Sequence, residues 1–121
     1  MTEIPGASRV FRGALVSYAS EVKYDLLNIP VGVVVSEAAA AQMASAVRVL
    51  LKADIGIAAT GVAGPDPQDD LPPGTVCLAV ASKRATETQT LQLGNRGRET
   101  IRQFSATSLF DLLRRFLLSR R

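Results

Sequence analysis

The sequence predicts an α/β layered domain, on three observations. Ile55–Thr60 and Thr75–Ser82 are short, almost fully apolar runs, which is how strands covered on both faces read. Stretches with helical spacing of apolar residues alternate with strand-like runs along the chain. The 121 residues, 47% hydrophobic and 21% charged, have the size and composition of one globular domain, residues 1–121, with a modest core.

The elements follow in order. Gly13–Ala19 (GALVSYA) reads as a strand. Ser20 is placed to cap a short helix reaching about Asn28, with Val22, Leu26 and Leu27 inward and Pro30 as its stop. Val31–Val35 is apolar but has no assignable period. Ser36 caps a second helix to about Lys52, with Glu37 in the first turn, where the helix dipole favours an acid. Met43, Val47 and Leu50 recur at helical spacing, and the alanines around them permit close approach to a sheet. Ile55–Thr60 then forms a strand, Gly61–Gly74 a loop rich in Gly, Pro and Asp, and Thr75–Ser82 a second buried strand. Thr86–Leu93 (TETQTLQL) alternates with polar residues dominant, as an edge strand does. After a turn at Gly94–Arg98, Glu99 to about Ser119 is the longest helix, with a buried stripe of Ile101, Phe104, Leu109, Leu112, Leu113 and Phe116.

Composition excludes several chemistries. Histidine is absent, so a Ser-His-Asp triad, a Cys-His dyad and a His-ligated metal are ruled out. Tryptophan is absent and aromatics are 5%, which argues against a base-stacking single-strand binder. Any acid–base chemistry falls to Lys, Tyr, Asp or Glu. Cys77 is the only cysteine, so no intramolecular disulfide forms, and a reduced cytoplasmic location is expected. No apolar run is long enough to span a membrane, and the first residues do not read as a signal peptide. Charge is uneven. Residues 1–81 carry five basic and eight acidic residues, a net −3, and residues 82–121 carry nine and three, a net +6. An arginine-rich patch of this kind attracts phosphate, on a nucleotide or on a polynucleotide.

Four groups of residues could carry chemistry. Tyr18 lies near the end of a predicted strand and Lys23 near the first turn of the next helix, a junction that opens onto the ligand crevice in many α/β domains. The positive end of the helix dipole disfavours the ammonium there, so the lysine pKa is expected to fall and the neutral amine could act as a general base. The alternative is a half-buried tyrosine and a solvated lysine. In Thr60-Gly61-Val62-Ala63-Gly64-Pro65 a strand runs into a turn where Gly61 and Gly64 permit positive φ and a nest of N–H groups for an anion; the alternative is an ordinary loop. The loop is neither GxGxxG nor a P-loop. Asp66, Asp69 and Asp70 lack EF-hand spacing and read as a solvated loop. Arg96, Arg98 and Arg102 at the start of the last helix could grip a phosphate, or form a solvated basic turn. Arg114, Arg115, Arg120 and Arg121 complement that helix's C-terminal dipole or lie in a frayed tail.

The order IPGAS, FRGALVSYASEVKYDLL, VSEAAAAQMA, ADIGIAATGVAGP, PPGTVCLAVAS and RETIRQFSA resembles the C-terminal domain of the CinA (competence/damage-inducible) family over nearly the whole chain. The resemblance implies a three-layer α/β/α sandwich with a mixed sheet. It implies hydrolysis of the carboxamide of nicotinamide mononucleotide to nicotinate mononucleotide and ammonia, by a serine nucleophile activated by lysine and tyrosine, with no cofactor and no metal. By that pattern Lys23 is the general base and Tyr18 assists it. Thr60, Gly61 and Gly64 line the substrate site, and Arg98, rather than Arg96, faces the nucleotide. The expected partners are a small-molecule nucleotide and further copies of the chain, with no membrane.

The departures from the family pattern are specific. The family's first strand and helix, with the E-S-x-T-G-G motif that carries the nucleophile, have no counterpart between Met1 and Ser8. About one helical turn is missing after Pro30. The family's Tyr-Ser-Asn is Tyr18-Ala19-Ser20 here, and its Gly-Asp-Arg is blurred into Gly94-Asn95-Arg96-Gly97-Arg98. Without the nucleophile no acyl-enzyme forms, so this chain is expected to be inactive by itself. The absent strand would leave two rows of backbone polar groups unpaired. The chain must then re-pair its strands, recruit a partner's strand, or be a fragment of a longer protein, and the last is expected. The alternatives in function are a non-catalytic oligomeric nucleotide-binding or regulatory module of the same fold, and nucleic-acid binding through the arginines, which no known motif supports.

Overall fold

The computed structural model describes residues 1–32 and 34–120, so Val33, within the unassigned apolar segment, lies outside the described residues. A single 3-10 turn at Ala7–Arg9 precedes α1 (Ser20–Leu27) and α2 (Glu37–Leu50). Strands β1 (Gly56–Gly61), β2 (Thr75–Ala81) and β3 (Thr86–Gln92) follow, then α3 (Arg98–Leu118). The strand order is β1-β2-β3, with Thr60 opposite Cys77 and Leu78 opposite Gln89.

The central strand β2 explains the layering. Every one of its residues is buried. Because successive side chains alternate between faces, Cys77, Ala79 and Ala81 join a core with Leu27, Val34, Met43 and Ala44. Val76, Leu78 and Val80 join a second core with Ile101, Leu112 and Phe116. One face is therefore covered by α1 and α2 and the other by α3, which is the expected α/β/α arrangement. The residues at this seam are mostly small on both sides: Ala40 and Ala44 from the helix meet Ala58, Ala79 and Ala81 from the sheet. The helix consequently sits so close that a Cβ placed on Gly56 would lie 1.9 Å from the Ala44 carbonyl oxygen.

Local signals act as expected in several places. The Ser36 hydroxyl accepts the Ala39 N–H at 3.0 Å and caps α2. Strand β3 alternates between exposed and half-buried residues along its length, and it lies at one edge of the sheet. Ser82 closes the β2–β3 turn, its N–H donating to the Ala85 carbonyl and its hydroxyl oxygen accepting from the Arg84 and Ala85 N–H groups.

Other expectations are corrected. Gly13–Ala19 is not a strand. Its exposure alternates like one, with Leu15 and Ser17 half-buried and Val16 and Tyr18 exposed, but it makes no ladder hydrogen bonds because, among the described residues, no strand lies beside it. For the same reason the described sheet is antiparallel throughout and not mixed. β1 is covered fully on one face and only in part on the other, where Ile57 packs half-buried against the α3 core. Ala58 and Thr60 are buried, whereas Ala59 and Gly61 on the opposite face are exposed, because α3 lies mainly over β2. Ser20 is the first residue of α1 rather than its cap, which is Ala19 with no side-chain bond. Leu26, Leu50 and Phe104 are exposed rather than inward. On α1 the inward positions one turn apart are Lys23 and Leu27.

Candidate functional site

A cleft of about 1680 Å³ separates Val10–Tyr18 from β1. Its walls come from both helical layers, with Leu27, Met43 and Val47 on one side and Leu109, Phe110 and Leu113 on the other. All six candidate residues, Tyr18, Lys23, Thr60, Gly61, Gly64 and Arg98, line it.

Lys23 is 8% exposed. Its Nζ donates to the Ser17 carbonyl oxygen at 2.7 Å. Burial holds its pKa below the ordinary lysine value, the expected direction but through desolvation rather than the helix dipole. A buried amine with a lowered pKa and one neutral acceptor has the properties of a proton acceptor.

The Tyr18 hydroxyl does not meet Lys23. It accepts from Arg98 Nη2 at 3.2 Å, while Arg98 Nη1 donates to the Gly64 carbonyl at 3.3 Å. One guanidinium thus ties the segment before α1 to the loop after β1. Both of its acceptors are neutral oxygens, so its charge is left uncompensated at the mouth of the cleft. Arg96 lies over the Phe104 ring, 5.8 Å from its centroid, and Arg102 lines a smaller hollow of about 320 Å³ between β1 and α3. Of the three arginines, Arg98 alone lines the main cleft.

The loop after β1 is built differently from a free anion nest. Gly61 belongs to β1, and a side chain there would approach Val76 Cγ2 at 2.9 Å. The Val62 N–H donates to the Thr75 carbonyl and the Gly74 N–H to the Val62 carbonyl, so Val62 extends the ladder and offers no donor to a ligand. Gly64 does have positive φ, +85°, and packs against Pro73. The Thr60 hydroxyl is buried and donates to the Val34 carbonyl at 2.7 Å, which fixes the segment before α2 beside the site. Asp69 accepts the Val34 N–H and serves the same segment. Among the described residues no group of three or more His, Cys, Asp or Glu side chains could hold a metal ion.

Three residues have roles that spacing could not announce. The Ser17 carbonyl is the partner of Lys23. Arg48 lines the far end of the cleft with its Nε buried and without a hydrogen-bond partner. Glu37 receives hydrogen bonds from Thr88 and Thr90, which hold its pKa below the usual carboxylate value and tie α2 to β3. Cys77 is buried, and desolvation raises its thiol pKa, which makes it a poor nucleophile. The distal arginines are partly neutralised: Arg114 and Arg115 pair with Asp111, and Arg120 with Glu87. No helix among the described residues is long and apolar enough to cross a membrane.

Comparison with known proteins agrees with this architecture. Residues 1–117 match the model of the CinA C-terminal domain. The chain is 46% identical to a CinA-like protein of Frankia casuarinae, over 97% of this chain and 28% of that protein. It is 42% identical to a competence-damage inducible protein of Streptococcus agalactiae, over 98% of this chain and 29% of that one. It therefore spans under a third of the length of these relatives. Among solved structures it resembles the competence/damage inducible protein CihA of Agrobacterium tumefaciens, with a TM-score of 0.86 and 29% identity over 93% of this chain and 72% of that one. A competence or damage-inducible protein of Enterobacter asburiae superposes with a TM-score of 0.82 and 30% identity, over 93% of this chain and 74% of that one. By fold, by sequence and by the extent of the match, the chain belongs to the CinA C-terminal domain family.

Proposed function

We propose that the cleft is the substrate site of a nicotinamide mononucleotide amidase, in which the carboxamide is hydrolysed to the acid and ammonia. One observation carries this reading: a buried lysine with a lowered pKa lines the same cleft as an arginine whose charge has no acidic partner. The lysine suits proton transfer and the arginine suits a phosphate. In the proposed reaction a hydroxyl attacks the carboxamide carbon and its proton passes to the Lys23 amine. The C–N bond breaks as that proton is returned to the leaving nitrogen, which departs as ammonia. Water then hydrolyses the acyl ester. Tyr18 and Arg98 hold the nucleotide end.

The 121 residues contain no E-S-x-T-G-G segment, and on this reading such a segment supplies the attacking hydroxyl. The chain is expected to bind nicotinamide mononucleotide but to release no ammonia. Adding the segment upstream should give turnover, and Lys23→Ala in that longer protein should remove it. Absence of calorimetric heat at millimolar nucleotide, or robust turnover by the 121 residues alone, would overturn the reading. The open edge of β1 favours a second reading, a non-catalytic nucleotide-binding or regulatory oligomer. Nucleotide binding by a monodisperse dimer, with no turnover after the segment is added, would favour that one.

A further inference from the structure

We propose that the end of the domain away from Arg98 is a polyanion-binding surface, and that its partner is duplex nucleic acid, gripped through backbone phosphates without reading sequence. The fold brings five segments to that end. Gly56 pairs with Ala81, and Ala81 with Thr86, so β1 starts, β2 ends and β3 starts at one level of the sheet. The end of α2 arrives there, since Arg48 Cβ stands 2.9 Å from where a Cβ on Gly56 would lie. The end of α3 does too, and Arg120 meets Glu87 at 2.9 Å. Arg12 joins them by donating to the Leu51 carbonyl. Arg98 and Gly61 lie at the other end, where α3 starts and β1 stops.

Charge divides along the same line. Arg114, Arg115 and Arg120 of α3 are joined by Arg12, Arg48, Lys52, Lys83 and Arg84, against the carboxylates of Asp54, Glu87 and Asp111, a net +5. The other described residues carry five cations and eight carboxylates, a net −3. Two helices end in the basic region, and their C-terminal dipoles offset roughly one charge in all, which leaves most of the excess. Among the described residues, Lys52, Lys83 and Arg84 are exposed and make no ion pair, while Asp111 is shared by two arginines.

The spread of these cations selects the partner. They come from α2, from the sheet and from α3, three layers about 10 Å apart, and so extend over about 20 Å. A lone phosphate group calls for donors converging on one point. A row of this length exceeds the roughly 12 Å of a duplex major groove and reaches the backbones on both sides. Six of the eight are arginines, whose forked donors match phosphate oxygens. Backbone contacts carry no sequence information, so no recognition motif is needed. Phe116 is 1% exposed, with Arg120 over its ring at 3.8 Å, and offers no face for an unpaired base. The turn between β2 and β3, residues 82–85, has no large apolar side chain to enter a bilayer, which favours nucleic acid over an anionic membrane. The surface and Arg98 lie at opposite ends, so duplex binding and amide hydrolysis are tested separately.

Fluorescence anisotropy with the 121-residue chain and two short labelled DNA duplexes of unrelated sequence provides the test. At low salt both duplexes are expected to bind with dissociation constants in the micromolar range, within threefold of each other. Contact with about four phosphates should give a slope of about −3.6 for log affinity against log salt. Lys83→Ala combined with Arg84→Ala, in an exposed turn that Ser82 closes, should weaken binding at least tenfold. Arg96→Ala combined with Arg102→Ala removes the same charge at the opposite end and should change binding less than threefold. Absence of binding at millimolar protein in low salt overturns the proposal, as do equal effects of the two double variants, a salt slope near zero, or a tenfold preference for one sequence. Vesicles of phosphatidylcholine and phosphatidylserine that displace the duplex at equal phosphate concentration would assign the surface to a membrane and would also overturn it.

Discussion

Gly56→Ala is the sharpest test of how closely α2 sits on the sheet. The added Cβ would stand 1.9 Å from the Ala44 carbonyl oxygen, 2.9 Å from Arg48 Cβ and 3.0 Å from the Ala44 carbonyl carbon. Carbon–oxygen contacts normally begin at about 3.3 Å, so strand and helix must part by more than about 1 Å. The separation cannot be absorbed by rotamers. The facing residues are alanines, with Ala40, Ala44, Ala79 and Ala81 all 0% exposed. A gap of this size forfeits a quarter to a half of each dispersion contact along the seam. Overpacking of this kind costs about 1–3 kcal/mol, and rigid backbone on one side puts the expectation at about 3 kcal/mol. For a domain of this length that lowers the melting temperature by roughly 10–18 °C. Urea unfolding followed by circular dichroism measures it, with Ser45→Ala on the exposed side of α2 as a control expected within about 0.5 kcal/mol of wild type. A Gly56→Ala midpoint indistinguishable from the control would refute the close seating of α2 on β1.

Other predictions concern charge and the core. Lys23 should titrate below the roughly 10.4 of a free lysine, read by 13C NMR of its Cε. Because its folded pKa is the lower one, the native state is penalised while the buried amine is charged. Stability should therefore rise with pH between the folded and ordinary values, and Lys23→Met should abolish that rise. Glu37 has the opposite linkage: its folded pKa is depressed, so its contribution is complete above about pH 4.3 and fades as pH falls through the lower folded value. Acid-unfolding curves of Glu37→Gln should lack that part of the slope. Arg98→Ala should weaken nicotinamide mononucleotide binding at least tenfold in calorimetry, whereas Arg96→Ala should change it less than twofold; equal effects would assign phosphate binding elsewhere. Phe116→Ala, at a side chain 1% exposed in the α3 core, should cost about 3–5 kcal/mol in urea unfolding.

The parts of the fold legible in the sequence are those whose cause is local or periodic. The apolar run of β2 announces burial on two faces, Ser36 announces a helix start, and the polar alternation of β3 announces an edge. Gly13–Ala19 shows where such reasoning stops. Its alternation is real, but a strand is a relation between two segments, and the pattern of one does not supply its neighbour. The same applies to Leu26 and Phe104, which have the right spacing for a buried stripe but project beyond the surface that the sheet offers. At the site, residue types and chain order pointed to Tyr18, Lys23, Thr60, Gly61, Gly64 and a group of three arginines, among which the family resemblance singled out Arg98, and these six line one cleft. Their pairings were not legible. Lys23 bonds a backbone carbonyl, and Tyr18 meets an arginine 80 residues away, contacts fixed only by tertiary folding.

The Arg98 bridge has a thermal consequence. It joins Tyr18 to Gly64 through two exposed contacts of 3.2 and 3.3 Å, and neither lies within the cores that hold β2. The mouth of the cleft can thus come apart on warming while the sheet remains intact. The proposed affinity for nucleotide should decline well below the temperature at which the far-ultraviolet signal collapses, and cooling should restore it without refolding.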